Sequence, residues 1–459
     1  MPDPLQDRDR FSDLLTQVAG AAIRYLARVD DLPAGGSAKR DEATRQFVGD
    51  LPEDGNGSLA TLTNLLTHGV EASTNSAGPR FFHFVTGGST PAALAADWLA
   101  STLDNNAGVW ISAPLGSKLE QVAIGWLKDL FGLPTDWGGV LTTGATMSNF
   151  TALAAARQWW GEEHGVNIAE RGMSGLPAIP VLTSEFIHAS AKKALSMLGI
   201  GHGQVSTPTL PSPRGGGKDS FLQALERDLK SLNGAPAIVI ATAGEVNAGG
   251  FDPIGAMADL AHRYHAWLHV DGAFGLFARV SPVTADLAEG VERADSVIAD
   301  GHKWLNVPYD CGFAFVRDAR LLNAVFGMGA PYFPTSEADH PDFLYLAPEM
   351  SRRARALAVW ATLNAYGRRG YRAMIERHVA LAKRLADQIR ASSDFELLAE
   401  PRLNVVCFRY RPVDVPEGEL DEINRRVGQA IIADGTVYFG TTVYAGKVAF
   451  RPAEVNRAI

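Results

Sequence analysis

The sequence predicts an α/β fold in which helices cover an open, mostly parallel sheet. Short apolar runs rich in β-branched residues alternate with helical patterns through the middle of the chain. Runs such as Ile238-Val239-Ile240 have no polar face, as is typical of strands buried on both sides. This alternation favours an open α/β sheet. The predicted strands cover residues 139–143, 179–183, 204–206, 237–242, 267–271, 296–300 and 312–317.

The flanking regions predict a helical start and a smaller second domain. Helices outside the sheet region are predicted at 11–25, 59–68, 352–366 and 369–392, and short strands at 404–409 and 448–450. A chain of 459 residues exceeds what one hydrophobic core usually organises. We therefore expect a helical N-terminal segment over 1–78, a large α/β domain over 79–325 and a small α+β domain over 326–459.

Composition limits the function classes. The formal net charge is −9, which argues against nucleic-acid binding, because a phosphate backbone needs a positive protein face. No Cys/His spacing matches a zinc site, and no apolar run reaches the roughly 18 residues of a membrane span. We interpret the two cysteines, Cys311 and Cys407, as buried structural thiols. The polar, acidic N-terminus shows no signal-peptide pattern, so we expect a cytoplasmic protein.

Polar residues follow three predicted strands at their carboxyl ends, where ligands gather in open α/β sheets. The first group is the stretch 141–149, in which small and hydroxyl residues open a helix that runs through 151–159. Free N–H groups at a helix start favour a phosphate, and Thr146 and Ser148 add hydroxyl donors. The same residue types also form ordinary helix N-caps, so this stretch alone leaves both readings open.

The second and third strand ends carry an acid and a lysine. Asp271 ends the fifth predicted strand, and Gly272 and Ala273 after it would let a flat ring lie close to the backbone. This carboxylate suits a metal ligand, a general base, a partner for a cationic ring nitrogen or a plain N-cap. Lys303 follows the sixth predicted strand, where a lysine is either on the surface or suited to Schiff-base chemistry. A phosphate seat, an acid for a ring nitrogen and a nucleophilic lysine are together what pyridoxal phosphate (PLP) requires.

These residues resemble the pyridoxal-dependent decarboxylase family, which includes aromatic-L-amino-acid, histidine and glutamate decarboxylases. The most specific pieces are Leu268-His269-Val270-Asp271 with Ala273, and His302-Lys303-Trp304 followed by Asp310-Cys311. The similarity runs from about Pro79 to about Asn456. It implies the type I fold of PLP enzymes and an amino-acid decarboxylase that gives an amine and CO2. It also implies a homodimer with active sites at the subunit interface, which the N-terminal helices help to form.

The resemblance assigns roles to the matching residues. The implied cofactor residues are Lys303 as the Schiff-base lysine, Asp271 on the pyridine nitrogen, His188 and Ala273 on the two ring faces, and Ala145, Thr146 and His302 on the phosphate. The implied substrate contacts are Phe84, Val85 and Thr86, with Trp110 reaching in across the subunit interface. Phe84, Val85 and Trp110 suit an aromatic substrate side chain, whereas His83 and Thr86 suit a polar one. Aromatic L-amino acids are therefore the favoured substrate class.

A tyrosine on a loop supplies the final proton to the substrate Cα in this family. Tyr332 lies where that loop is expected, with Phe333 adjacent and Tyr345 nearby. Related aldehyde synthases carry phenylalanine at the loop position, so Tyr332 favours simple decarboxylation. The alternatives are a PLP enzyme of the same fold that acts as an aromatic aldehyde synthase or an aminotransferase, and a non-catalytic binding protein of this fold.

Two stretches depart from the family pattern. Glu245 and Val246 stand where animal aromatic decarboxylases carry two threonines, while Thr242 looks retained. Contacts to the ring hydroxyl of the cofactor or to the substrate are therefore expected to differ. The stretch 451–456 resembles the terminal motif of the family, yet the chain stops at Ile459, where a further helix is expected.

Overall fold

The structure, a computed structural model, describes residues 4–35, 37–208, 218–328 and 339–456. The contacts within the chain define two compact units. The larger unit comprises 87–387 and 399–406, and the smaller unit comprises 1–86, 388–398 and 407–459. The three-part division at residues 78 and 325 stays a prediction.

The larger unit is built on a seven-stranded sheet, as the apolar runs predict. Its strands are β1 (Gly138–Thr142), β2 (Val181–Thr183), β3 (Val205–Ser206), β4 (Ala237–Thr242), β5 (Ala266–Asp271), β6 (Ser296–Asp300) and β7 (Gly312–Val316). Their order is β1-β7-β6-β5-β4-β2-β3. Strands β2 to β6 pair in parallel, and only β7 runs antiparallel to its neighbours, β6 and β1. The predicted mostly parallel α/β fold is confirmed.

The smaller unit contains an antiparallel four-stranded sheet of the order β10-β11-β9-β8. Its strands are β8 (Phe395–Leu397), β9 (Phe408–Tyr410), β10 (Thr441–Tyr444) and β11 (Lys447–Phe450). The helices of both units are, in chain order, α1 (Phe11–Leu26), α2 (Ser37–Thr44), α3 (Ser58–Ala72), α4 (Pro91–Leu103), α5 (Pro114–Phe131), α6 (Ala145–Glu163), α7 (Ile168–Arg171), α8 (Ala189–Met197), α9 (Lys218–Ser231), α10 (Ile254–Arg263), α11 (Ala319–Phe326), α12 (Ala356–Ala391) and α13 (Leu420–Asp434).

The long helix α12 is interrupted where the sequence predicts a break between two helices. Gly367 there has φ of 58°, a left-handed backbone conformation that favours glycine. None of the helices in the described residues combines the length and the apolar character needed to cross a membrane.

The core of the larger unit explains why the central strands read as continuous apolar runs. Every residue of β4 and β5 is buried, because helices cover both faces of the sheet. Helix α6 packs against the sheet through a buried run of small residues, from Ala152 to Ala156. Both cysteines are buried, as expected, and burial raises the pKa of the Cys311 thiol.

A buried ion pair joins α5 to the segment before α12. The guanidinium of Arg352 contacts both carboxylate oxygens of Glu120, at 2.8 and 3.2 Å, and both side chains are 1% exposed. Oxygen Oε1 of Glu120 also accepts the N–H of Leu141 in β1 at 2.9 Å, and Arg352 donates to the carbonyl oxygen of Leu141. The pair thereby fixes the strand that leads to the start of α6.

Replacing Glu120 with alanine is expected to lower the free energy of unfolding by about 3–5 kcal/mol, because it leaves the buried charge of Arg352 uncompensated. Urea unfolding followed by circular dichroism measures this loss. The exposed pair of Glu422 and Arg425 supplies the control, since Glu422→Ala should cost less than about 1 kcal/mol. The double variant Glu120→Leu with Arg352→Met should recover much of the loss. Equal stability of Glu120→Ala and the unmodified protein would contradict the prediction.

Candidate active site

Three strand ends singled out by the sequence share one edge of the larger sheet. Thr142 at the end of β1 pairs with Gly312 of β7, which also pairs with Asp300 at the end of β6. Asp271 ends β5 beside Thr242 of β4, and β5 and β6 are parallel neighbours. The residues that follow these strands therefore meet at the same edge.

The N-terminus of α6 follows β1 at this edge. Its N-cap, Gly144, has φ of 137°, and a Cβ there would come within 2.8 Å of Cε1 of the His302 ring. Glycine is therefore required both by the backbone conformation and by the close approach. The first-turn N–H groups of α6, which include those of Ala145 and Thr146, lie outside the intrahelical ladder, and the helix dipole favours an anion beside them. The structure thus brings His302 against the start of α6.

The imidazole of His302 is held from two sides. The N–H of Cys311 donates to its Nδ1 at 3.2 Å, so the proton of the neutral ring lies on Nε2. The ring of Tyr309 stacks on it with centroids 4.2 Å apart. Burial lowers the pKa of His302, against the opposing effect of Asp300. At neutral pH the ring therefore offers an N–H donor at Nε2.

Lys303 lies beside an acid to which the sequence analysis assigns no role. Its Nζ is 3.1 Å from Oδ2 of Asp300, and the two side chains are 14% and 2% exposed. The other oxygen of Asp300, Oδ1, is buried and has no hydrogen-bond partner among the described residues. The ring centroid of Phe274 is 5.9 Å from Nζ. The amine is thus held at the sheet edge by a carboxylate and an aromatic ring.

The carboxylate of Asp271 is buried and accepts two hydrogen bonds. Its Oδ1 accepts the N–H of Ala273 at 3.2 Å, and its Oδ2 accepts from Nδ2 of Asn149 at 3.1 Å. The side chain is 4% exposed. An ionised carboxylate offers about four lone-pair sites, so Asp271 retains acceptor capacity for a ring nitrogen.

His188 lies between β2 and α8 and is the N-cap of α8. Its Nδ1 accepts the backbone N–H of Ser190 at 3.2 Å and lies 2.7 Å from the Ser190 hydroxyl oxygen. The ring itself is exposed. An exposed imidazole fixed through one nitrogen presents a face that a flat ligand can cover.

The predicted substrate residues of the smaller unit are Phe84, Val85 and Thr86. Phe84 and Val85 both have left-handed backbone conformations, with φ of 56° and 57°, which are costly for residues with a Cβ. Phe84 is 64% exposed and its ring centroid is 3.9 Å from that of His83, whereas Val85 and Thr86 are buried. Burial also lowers the pKa of His83, to about 4, so this histidine is neutral at pH 7.

Trp110 belongs to the larger unit and is partly buried. Its backbone N–H donates to Oδ1 of Asp342 at 2.7 Å, and its ring centroid is 4.5 Å from that of His340. Tyr332 lies outside the described residues, so its predicted role stays a prediction.

Glu245, which departs from the family pattern, and Thr242, which looks retained, both form hydrogen bonds near the end of β4. The carboxylate of Glu245 accepts the N–H groups of Asn247 and Ala248, at 2.6 and 3.0 Å, and so caps a tight turn after β4. The hydroxyl of Thr242 donates to the carbonyl oxygen of Phe186 at 3.3 Å. Both side chains are buried, so their hydrogen bonds stabilise the sheet edge.

Sequence reasoning assigned no role to four polar residues of this edge: Asn149, Ser190, His269 and Asp300. His269 stands two residues before Asp271, and the two-residue period of a strand puts both on one face, so this residue carried a usable signal. Asn149 and Ser190 carried none, because amide and hydroxyl side chains near a helix start are common.

The comparison with known proteins agrees with the geometry. The family model described as the pyridoxal-dependent decarboxylase conserved domain matches residues 48–411. The chain belongs to this family. It is a PLP-dependent amino-acid decarboxylase, that is, a carboxy-lyase, and PLP is its cofactor.

Three similar proteins illustrate the range within the family. The chain is 28% identical over 444 residues to the aromatic-L-amino-acid decarboxylase of Bacillus atrophaeus. The aligned region covers 96% of this chain and 90% of the relative. It is 30% identical over 370 residues to the L-2,4-diaminobutyrate decarboxylase of Acinetobacter baumannii. That match covers 76% of this chain and 70% of the relative. The crystal structure of Oryza sativa TDC with PLP and tryptamine superposes with a TM-score of 0.88 at 27% identity. The superposition covers 99% of this chain and 94% of that structure.

The described residues suit PLP. The start of α6 offers N–H groups to a phosphate, and the close approach of His302 to Gly144 leaves no space for a Cβ there. Asp271 has acceptor capacity left for a protonated ring nitrogen, and Lys303 supplies a primary amine at the same edge. The donor set therefore matches the phosphate, ring nitrogen and aldehyde of the cofactor.

Proposed function

We propose that the protein converts an aromatic L-amino acid into the corresponding amine and CO2. The observation that carries this proposal is the meeting of a lysine, a buried carboxylate, an exposed histidine and a helix N-terminus at one sheet edge. The proposed cofactor residues are Lys303 for covalent attachment, Asp271 for the ring nitrogen, His188 and Ala273 for the ring faces, and Ala145, Thr146 and His302 for the phosphate.

PLP, when bound, supplies an electron sink for the charge that remains on Cα after CO2 leaves. The protein holds the groups that make this sink effective. Asp271 keeps a proton on the ring nitrogen, because a carboxylate beside a cationic ring favours its charged form. Asp300 holds the amine of Lys303 at 3.1 Å, close to where attachment takes place. The neutral Nε2–H of His302 and the first turn of α6 bind the phosphate.

An aromatic substrate is supported by the apolar residues available for its side chain. Phe84 is a large aromatic side chain left mostly exposed, on a backbone held in a costly conformation. Strained, exposed residues of this kind occur at ligand sites. Trp110 adds a second large ring, on a residue whose backbone N–H donates to Asp342. We propose that Phe84, Val85, Thr86 and Trp110 contact the substrate.

A homodimer is supported by the N-terminal helices. Neither α1 nor α3 buries a single residue in the isolated chain. Phe11, Leu15 and Ile23 of α1 are 64%, 57% and 67% exposed. Apolar helix faces of this size are normally covered by another protein surface. We propose that a second copy of the chain covers these helices and completes the active site.

The test of the substrate class is CO2 release from a panel of L-amino acids by the PLP-loaded enzyme, with chromatographic identification of the products. The panel includes tryptophan, tyrosine, phenylalanine, histidine, 2,4-diaminobutyrate, glutamate and aspartate. We expect the highest kcat/KM with an aromatic substrate and equal amounts of amine and CO2. A preference for diaminobutyrate or an acidic amino acid would overturn the aromatic assignment and leave the decarboxylase standing.

Replacing Tyr332 with phenylalanine is expected to preserve PLP binding and to divert product from amine to aldehyde, because the acid that protonates Cα is removed. Aldehyde formation also requires an oxidant such as O2 and releases ammonia, so product analysis under air separates the two outcomes. Tyr345→Phe is the matched control and should still give amine. Unchanged amine formation by Tyr332→Phe would refute its role, and diversion by Tyr345→Phe alone would transfer that role to Tyr345.

A further inference from the structure

Three side chains of β5 form a buried polar row on one face of the sheet. Trp267, His269 and Asp271 alternate along the strand, and the two-residue period of a strand turns all three to the same side. His269 is completely buried. A polar row of this kind is costly unless every group is hydrogen-bonded, and the row continues into two neighbouring elements.

A chain of hydrogen bonds connects this row to Asp271. The indole Nε1 of Trp267 donates to Oγ of Ser296 at 2.9 Å, and that hydroxyl lies 2.8 Å from Nδ1 of His269. Nitrogen Nε2 of His269 is 2.8 Å from Oδ1 of Asn149. The amide nitrogen of Asn149 then donates to Oδ2 of Asp271 at 3.1 Å. All five side chains are less than 5% exposed.

The chemistry of the partners gives this chain a single direction. A carboxylate only accepts, so Asp271 takes the NH2 group of Asn149 and leaves the amide oxygen to face His269. The indole N–H only donates, so the Ser296 oxygen accepts it and the Ser296 hydroxyl proton is free to donate to Nδ1 of His269. Burial lowers the pKa of His269 to about 4, so the neutral ring carries its one proton on Nε2 and donates to Asn149.

A second branch leads from the same amide to His188. Nitrogen Nδ2 of Asn149 also donates to Oγ of Ser190 at 3.3 Å. The Ser190 hydroxyl lies 2.7 Å from Nδ1 of His188, which already accepts the Ser190 N–H. The amide of Asn149 therefore contacts both Asp271 and the serine that holds His188.

We propose that Asn149 is a positioning residue that holds Asp271 and His188 in their places around PLP, and that His269 fixes the direction in which its amide points. The inference rests on the proposed roles of Asp271 and His188. If the amide of Asn149 were reversed, its oxygen would face a carboxylate and its NH2 group the N–H of His269. Both contacts would be repulsive, so the orientation of one imidazole controls two cofactor contacts.

The test compares Asn149→Leu with a matched variant of the same helix. Leucine has the same number of side-chain heavy atoms and the same branching as asparagine but removes every hydrogen bond of the side chain. Thr151→Val is the control, because Thr151 is equally buried in α6 and its hydroxyl has no partner among the described residues. The readouts are the dissociation constant of PLP, from absorbance titration of the cofactor-free protein, and the 15N chemical shift of the ring nitrogen in 15N-labelled PLP.

Asn149→Leu is expected to weaken PLP binding about tenfold, the effect of losing one hydrogen bond to a charged group. The 15N shift should move toward that of an unprotonated ring nitrogen. Borohydride should still fix PLP to Lys303, and Thr151→Val should match the unmodified protein. A loss of stability alone would not move the 15N shift, so this readout separates positioning from general packing.

A second pair of variants tests the role of His269 and decides the question if Asn149→Leu does not fold. His269→Gln keeps an N–H near the position of Nε2, whereas His269→Leu has none. We expect His269→Leu to reproduce the 15N shift of Asn149→Leu, and His269→Gln to restore most of the original value. Identical shifts and PLP affinities in the glutamine, leucine and unmodified proteins would overturn the inference. An unmodified protein that fails to fix PLP at Lys303, or holds its ring nitrogen unprotonated, would instead refute the proposed roles of the site.

Discussion

Replacing Lys303 with alanine is expected to abolish covalent attachment of PLP and to lower kcat/KM by on the order of 10⁴-fold or more, as the loss of a covalent catalytic group does in other enzymes. Lys303 supplies a primary amine at this sheet edge, where its ion pair with Asp300 holds it. Reduction with borohydride, followed by mass spectrometry of the digested protein, measures attachment. CO2 release from the best substrate measures activity.

Two further variants separate the amine from its charge. Lys303→Arg keeps a cation beside Asp300 but cannot form the covalent link, so it should be as inactive as Lys303→Ala. Lys230→Ala, in which an exposed lysine of α9 is removed, should retain full attachment and activity. If PLP in Lys303→Ala is still fixed by borohydride at the same site, the assignment of Lys303 is wrong.

Replacing Asp271 with asparagine is expected to lower kcat by on the order of 10³-fold, equivalent to about 4 kcal/mol of barrier. A neutral amide cannot stabilise a cationic ring nitrogen, so the ring would lose the positive charge that lets it withdraw electrons from Cα. The amide still fits the site by size, and its single oxygen can accept from either Asn149 or the N–H of Ala273, which the two oxygens of Asp271 accept separately. Attachment to Lys303 should therefore persist while turnover is lost.

The comparison of attachment with turnover is the measurement for Asp271. Asp271→Glu retains the charge and should recover part of the rate. Asp286→Asn, a change to a carboxylate outside the site, serves as the control and should leave kcat within about twofold of the unmodified value. Full activity of Asp271→Asn would show that another group holds the ring nitrogen.

The strands were predictable because their physical signal is local. Predicted strands 237–242 and 296–300 match β4 and β6 residue for residue, since strands buried on both faces are mostly apolar along their length. The break in α12 was also predictable from a local signal, because Gly367 interrupts an otherwise continuous helical pattern. Lys303 and Asp271 stood out because charged residues at the ends of such runs are unusual.

The hydrogen bonds behind the site were not predictable from local patterns. The contact between Asn149 and Asp271 joins residues 122 positions apart, and the contact between Asn149 and His269 joins residues 120 apart. These residues meet because α6 packs against β5 in the folded chain. Asp300 was visible as the last residue of the predicted strand 296–300, yet its contact with Lys303 depends on the turn after β6. Tyr332 and the substrate residues remain predictions from resemblance.

The position of α6 sets a fixed length within the site. Ala145 and Thr146 begin this helix, and Asn149 follows one turn later, about 6 Å from Ala145 along the axis. The helix start that we propose for the phosphate and the amide that contacts Asp271 are therefore parts of one rigid rod. Inserting or deleting a residue between them would rotate one anchor by about 100° relative to the other. The distance between the proposed phosphate site and Asp271 is thus set by helical geometry, which insertions and deletions can change only in steps of one residue.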